Sequence, residues 1–125
     1  MCIRDRTGPF LSNWNALWGF AGGDVMVAWT GSEVHHYDGT SWTSKTVAGG
    51  VGTINALWGA NESDVWSGSA GGNLARYDGT SWTEVASPTT SSVEDLFGFS
   101  TTDVWGVGLS GTIIHFDGVL SLIHI

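Results

Sequence analysis

Three basic side chains recur in one phase of this sequence. His36, Arg76 and His115 stand 40 and 39 residues apart, and each is followed two places on by an aspartate: Asp38, Asp78 and Asp117. In an extended strand residues two apart share a face, so each pair sets a basic group beside a carboxylate. The pair can be a hydrogen-bonded staple between a strand and the turn after it, or the three basic groups can form a ring of sites for an anionic ligand. The staple has the stronger footing, because the acid sits on the same strand. Trp29 breaks the phase: the other units have Ser69 and Gly108 there, and Thr30 and Glu33 follow it. An indole at a loop can stack on a sugar ring or anchor a peptide. Against that, Val25, Val27 and Trp29 share one face of a continuing strand, which favours a core position. His35, in phase with Ala75 and Ile114, is expected to replace a buried apolar group. Adjacent strand residues point opposite ways, which argues against metal binding by His35 and His36 together.

No catalytic constellation stands beside these. No Gly-rich loop opens a helix, there is no His-x-x-x-His pair, and no spacing marks a nucleophile. Glu94 and Asp95 are adjacent and diverge in a strand. No catalytic residue, cofactor or metal ligand is therefore assigned. The net charge of −8, from four Lys+Arg against twelve Asp+Glu, repels a polyanion, so nucleic acid is not an expected partner. No apolar run approaches the roughly 18 residues of a membrane span, so membrane insertion is not expected either.

The elements that must position these residues are repeats. Leu17-Trp18-Gly19 returns as Leu57-Trp58-Gly59 and Leu96-Phe97-Gly98; Asp24-Val25-Met26 returns as Asp64-Val65-Trp66 and Asp103-Val104-Trp105. Tyr37-Asp38-Gly39-Thr40-Ser41-Trp42 returns as Tyr77-Asp78-Gly79-Thr80-Ser81-Trp82 and then as Phe116-Asp117-Gly118. The units lie near 13–52, 53–92 and 93–118. Each holds four strand candidates, in the second near Ile54–Trp58, Val65–Ser69, Asn73–Tyr77 and Ser81–Val85. The Asp-Gly steps predict tight hairpins of type I′, and no stretch keeps a helical period. Asp24, Asp64 and Asp103 are expected to accept backbone N–H groups at the loop before the second strand. Four short antiparallel strands in about 40 residues make one β-propeller blade; a barrel or sandwich is the competing architecture. The 19 glycines and 8 tryptophans among 125 residues fit many tight turns and large aromatic anchors. The predicted fold is all-β, a partial propeller with two full blades and most of a third. The recurring tryptophans are expected to lock neighbouring blades.

Both ends fall outside this pattern. Met1-Cys2-Ile3-Arg4-Asp5-Arg6 back-translates as ATG-TGT-ATA-AGA-GAC-AG, and the reverse complement of that string encodes Leu120-Ser121-Leu122-Ile123-His124-Ile125. Both strings resemble the transposon mosaic end used in sequencing libraries, read as coding sequence, and are set aside from fold reasoning. The propeller segment is then 7–119, cut from something longer, without cysteine and one charge more acidic than the whole chain. Residues 1–6 and 120–125 are expected to lack packing with the core beyond incidental strand extension.

The Asp-Val-Trp pattern, followed by a glycine and an apolar run into Tyr/Phe-Asp-Gly-Thr-Ser-Trp, resembles the repeats of kelch- and BNR-related bacterial β-propellers over about Asn13 to Gly118. It departs from strict kelch, since Gly71-Gly72 has counterparts Gly31-Ser32 and Ser110-Gly111. It also lacks the spaced Asp and Gly of the sialidase Asp-box. The resemblance implies a non-catalytic repeat module of a larger secreted or cell-surface protein that binds protein or glycan. The loops between second and third strands would lie on its binding rim, where Trp29 and Glu33 belong. The alternative it leaves open is part of a sialidase- or lyase-like carbohydrate enzyme. Open blade faces predict that the piece self-associates.

Overall fold

The computed structural model describes residues 14–20, 23–29, 31–47 and 52–124, with the side chains of 14, 29, 123 and 124 outside the description. The expectation for residues 1–6 lies outside the described residues. Twelve described strands form three four-stranded antiparallel sheets. The first holds β1 (Trp14–Gly19), β2 (Val25–Trp29), β3 (Glu33–Tyr37) and β4 (Trp42–Thr46). The second holds β5 (Ile54–Asn61), β6 (Asp64–Ser69), β7 (Leu74–Tyr77) and β8 (Trp82–Val85), and the third β9 (Val93–Ser100), β10 (Asp103–Gly108), β11 (Thr112–Phe116) and β12 (Leu120–His124). Each sheet is a meander of consecutive strands. The first strands β1, β5 and β9 contact one another in succession, so they lie innermost, and the fourth strands lie outermost.

Burial on both faces explains the composition of the second strands. All six residues of β6 are buried, so this strand cannot alternate apolar and polar as a one-sided sheet does. Two apolar layers result. One joins sheets one and two through Met26, Val34, Leu57, Val65, Tyr77 and Trp82. The other joins sheets two and three through Trp58, Trp66, Leu74, Leu96, Val104 and Ile114. A buried indole removes roughly 200 Å² from water, worth at most about 5 kcal/mol at 25 cal/mol per Å².

The Leu-aromatic-Gly repeat is the seam of these layers. A Cβ on Gly98 would lie 2.6 Å from Trp58 Cζ2, and one on Gly59 would lie 2.7 Å from Phe20 Cζ. Each glycine is therefore a socket for a ring of the preceding sheet, and a side chain there would drive the sheets apart.

Two expectations are corrected. The Asp-Gly hairpins are four-residue loops and not two-residue type I′ turns: Tyr77 pairs with Trp82 across Asp78–Ser81. Gly79 alone takes positive φ (99°) in that loop, because Asp78 Oδ1 accepts the N–H groups of Thr80 and Ser81 at 2.9 Å each and holds the loop open. Asp38 does the same with Thr40 and Ser41. These bonds, Ser41 or Ser81 first, hold both carboxyls below their ordinary range. Residues 120–124 form a full fourth strand on β11, and Leu120 packs against the second apolar layer. An edge strand offers its backbone groups to any extended segment, and Leu120 and Leu122 alternate with Ser121 as such a segment requires.

Candidate functional site

The basic residue of each sheet finds its acid across the ladder and not along its own strand. Arg76 pairs with Trp66 in register, which places Asp64, two residues before Trp66, diagonally beside it on the same face. Arg76 Nε donates to Asp64 Oδ1 at 2.7 Å. His115 Nε2 lies 2.8 Å from Asp103 Oδ1, and His36 Nε2 bonds to Asp24 Oδ1. The expected partners Asp38, Asp78 and Asp117 are occupied in their turns; Asp117 Oδ1 accepts the Val119 N–H at 3.2 Å. Asp24, Asp64 and Asp103 thus hold side chains where loop N–H groups were expected.

An aromatic ring from the next sheet completes the Arg76–Asp64 pair. The Arg76 guanidinium lies 5.1 Å from the Trp66 ring and 5.4 Å from the Phe116 ring, and those rings stand 4.9 Å apart. Trp105 repeats the local half: it stacks on His115 at 3.9 Å and donates Nε1–H to Asp103 at 3.1 Å. No described sheet covers it there. The Asp side chain is 16% exposed at Asp24 and 9% at Asp64, but 43% at Asp103. Around Arg76 the group is a clamp between blades, and the guanidinium charge is spent internally on Asp64 and the two rings.

The five candidate residues divide between two rims. Loops joining strands one to two and three to four share one rim: a Cβ on Gly79 would lie 2.9 Å from Ser63 Oγ. The basic residues lie toward this side. Glu33 and the end of β2 lie at the opposite rim, formed by loops two to three and four to one. There Ile54 N–H donates to Gly31 O at 3.1 Å, Ala70 N–H to Thr53 O at 2.9 Å and Leu109 N–H to Ser92 O at 3.1 Å. The Trp29 backbone pairs with Trp14; the choice between rim and core concerns its side chain, which lies outside the described residues. Glu33 is exposed, with Oε2 3.5 Å from His35 Nε2. The structure therefore does not gather the five into one site.

His35 is buried, as its phase with Ala75 and Ile114 predicts. Burial pushes its pKa below the ordinary imidazole value, against an opposing pull from Glu33. The unfolded chain then takes up a proton first as pH falls, and stability drops below about pH 6.5. His35→Val is expected to flatten this part of a melting-temperature profile against pH while leaving the acid decline near pH 4 in place. Equal slopes in the two proteins would contradict it.

Sequence reasoning missed Leu109 and Ser110, which sit on the second rim in a short 3-10 turn. Ser110 has φ 61°, the one non-glycine positive φ among the described residues. It occupies the phase of Gly31 (φ 112°) and Gly71 (φ 88°). That substitution was visible in the sequence, but its left-handed backbone was not. Leu109 is exposed. Its counterpart Ala70 is exposed too, although sheet three follows it, so exposure here belongs to the rim and not to an uncovered face. Among the described residues no three His, Cys, Asp or Glu side chains are placed to hold a metal, and no helix is long and apolar enough to cross a membrane.

No family model matches the chain, and no curated protein matches it. Among solved structures it is similar to "YCF48 bound to D1 peptide", with 16% identity and a TM-score of 0.72 over 85% of this chain and 37% of that one. It is also similar to YCF48 from Cyanidioschyzon merolae, with 14% identity and a TM-score of 0.68 over 89% of this chain and 39% of that one. The chain thus spans well under two thirds of those proteins, and its three sheets are three consecutive blades of a β-propeller.

Proposed function

We propose that the chain is a non-catalytic propeller module that binds a protein partner through the rim of two-to-three and four-to-one loops. The observation that carries this reading is the Leu109-Ser110 turn. An exposed leucine stands next to Ser110, which is held on a left-handed backbone where the sibling blades use glycine, and such strain concentrates at ligand-binding positions. Backbone bonds between neighbouring loops make the rim a preformed platform, and preformed surfaces bind with less ordering cost. A YCF48 structure of the same fold holds a peptide, which supports a peptide as the ligand class. Glu33, Glu94 and Asp95 are exposed, so an apolar residue flanked by Lys or Arg is the complementary segment. The motif resemblance supports placing the module in a larger kelch- or BNR-related protein, secreted or at a cell surface, with residues 1–6 and 120–125 derived from adapter sequence.

The test is a parallel array of immobilised peptides and glycans probed with the chain, Leu109→Asp and Asp78→Asn. Retention on basic-apolar peptides is expected, reduced at least tenfold by Leu109→Asp and unchanged by Asp78→Asn on the other rim. Retention on glycans alone, or equal loss with both variants, would overturn the reading.

A further inference from the structure

The outer edge of the third blade departs from its siblings in three ways. Tyr37 and Tyr77 pair with Trp42 and Trp82 across four-residue loops, but Phe116 pairs with Leu120 across Asp117, Gly118 and Val119 alone. In the first two blades the Tyr and Trp rings stand 5.1 and 5.3 Å apart; the third has an aliphatic group in the indole's place. Beside that group lies a small apolar, partly open cleft of about 10 Å³, bordered by Trp66, Leu96, Ile114, Phe116 and Leu120. Native interiors are close-packed, and here a leucine stands where the larger Trp82 is buried in its own blade.

We propose that the β11 edge is a strand-acceptor site. Its occupant is an extended peptide with a tryptophan at the Leu120 position, in the pattern of the chain's own Thr80-Ser81-Trp82-Thr83-Glu84-Val85. Ladder hydrogen bonds accept any backbone, and alternate side chains select the sequence. The selecting contact is the indole in the cleft against Phe116, the geometry that Trp82 adopts against Tyr77. β12 holds the edge as a tethered competitor at an effective concentration on the order of millimolar, so an external strand gains access as β12 loosens. This site lies on the outer edge and does not rest on the rim reading.

A fluorescein-labelled copy of residues 78–86 is titrated by anisotropy against the unaltered chain, Leu122→Pro and Leu120→Trp. Leu122→Pro weakens β12 and is expected to bind at least tenfold tighter than the unaltered chain. Leu120→Trp fills the cleft from within and is expected to bind at least tenfold weaker and to melt at a higher temperature. Alanine in place of the peptide's tryptophan is expected to abolish binding. Equal affinities for Leu122→Pro and the unaltered chain, or an alanine peptide that binds as well, would overturn the proposal. If Leu122→Pro loses its β-sheet circular dichroism, Leu120→Trp decides: no rise in melting temperature and no loss of peptide affinity would refute it.

Discussion

Trp66→Ala is expected to destabilise the chain by about 3–5 kcal/mol, the range for emptying a large buried aromatic site. Trp66 is fully buried. It packs on Phe116 of the third blade and under the Arg76 guanidinium, so its loss opens the inter-blade layer and strips one ring from the clamp. A domain of this size is stable by about 5–15 kcal/mol in total, and much of that margin would go. Urea unfolding followed by circular dichroism gives the number. Arg76→Ala, measured alone and with Trp66→Ala, isolates the cation–ring coupling, expected at about 1–2 kcal/mol. A cost below about 1.5 kcal/mol for Trp66→Ala would mean that the clamp does not join the blades.

The second large effect concerns association. Phe97 and Phe99 are 56% and 70% exposed and lie 4.9 Å apart edge to face. Phe97 is in phase with Trp58, which fills the Gly98 socket, and Phe99 is two places beyond it, as Phe20 is beyond Trp18. Both rings therefore stand ready for a further glycine socket. Among the described residues nothing lies within 4 Å of a Cβ on Gly19, where its siblings hold rings, so a second copy offers such a socket. The unaltered chain is expected to sediment as a concentration-dependent oligomer, and Phe97→Ser with Phe99→Ser to shift it to monomer with the unfolding midpoint nearly unchanged, since exposed positions contribute within about 0.5 kcal/mol. A monomeric unaltered chain, or one whose mass the two changes do not alter, would refute this.

The repeat made the architecture legible. Anchors in fixed phase marked the strands, and the four expected in the second unit, from Ile54 to Val85, fall on β5 to β8 within a few residues. What stayed hidden depends on register between strands. Reading along one strand puts Asp78 beside Arg76; only the pairing of Arg76 with Trp66 shows that Asp64 is the partner. The hairpin was misread for a related reason, because Asp-Gly marks a turn but not which residues close it. The candidate residues were scattered over two rims because strand direction was not used to sort them: Glu33 begins β3 at one rim, and His36 lies near its other end.

The clamp gives the array a direction. The pairs of the first two blades face the blade that follows: Phe116 covers Arg76, and the buried Tyr77, whose phenol pKa is raised by burial first and then by Asp78 and Asp24, packs in the layer that joins the first two sheets. Protection therefore passes backward along the chain, like a row of roof tiles each held down by the next. In a linear array ruled by nearest neighbours, disorder enters at the tile with nothing over it. Here that tile is Asp103 with His115, the aspartate side chain 43% exposed, so the third blade is expected to open before the second, and a partner that covers its face to hold both closed.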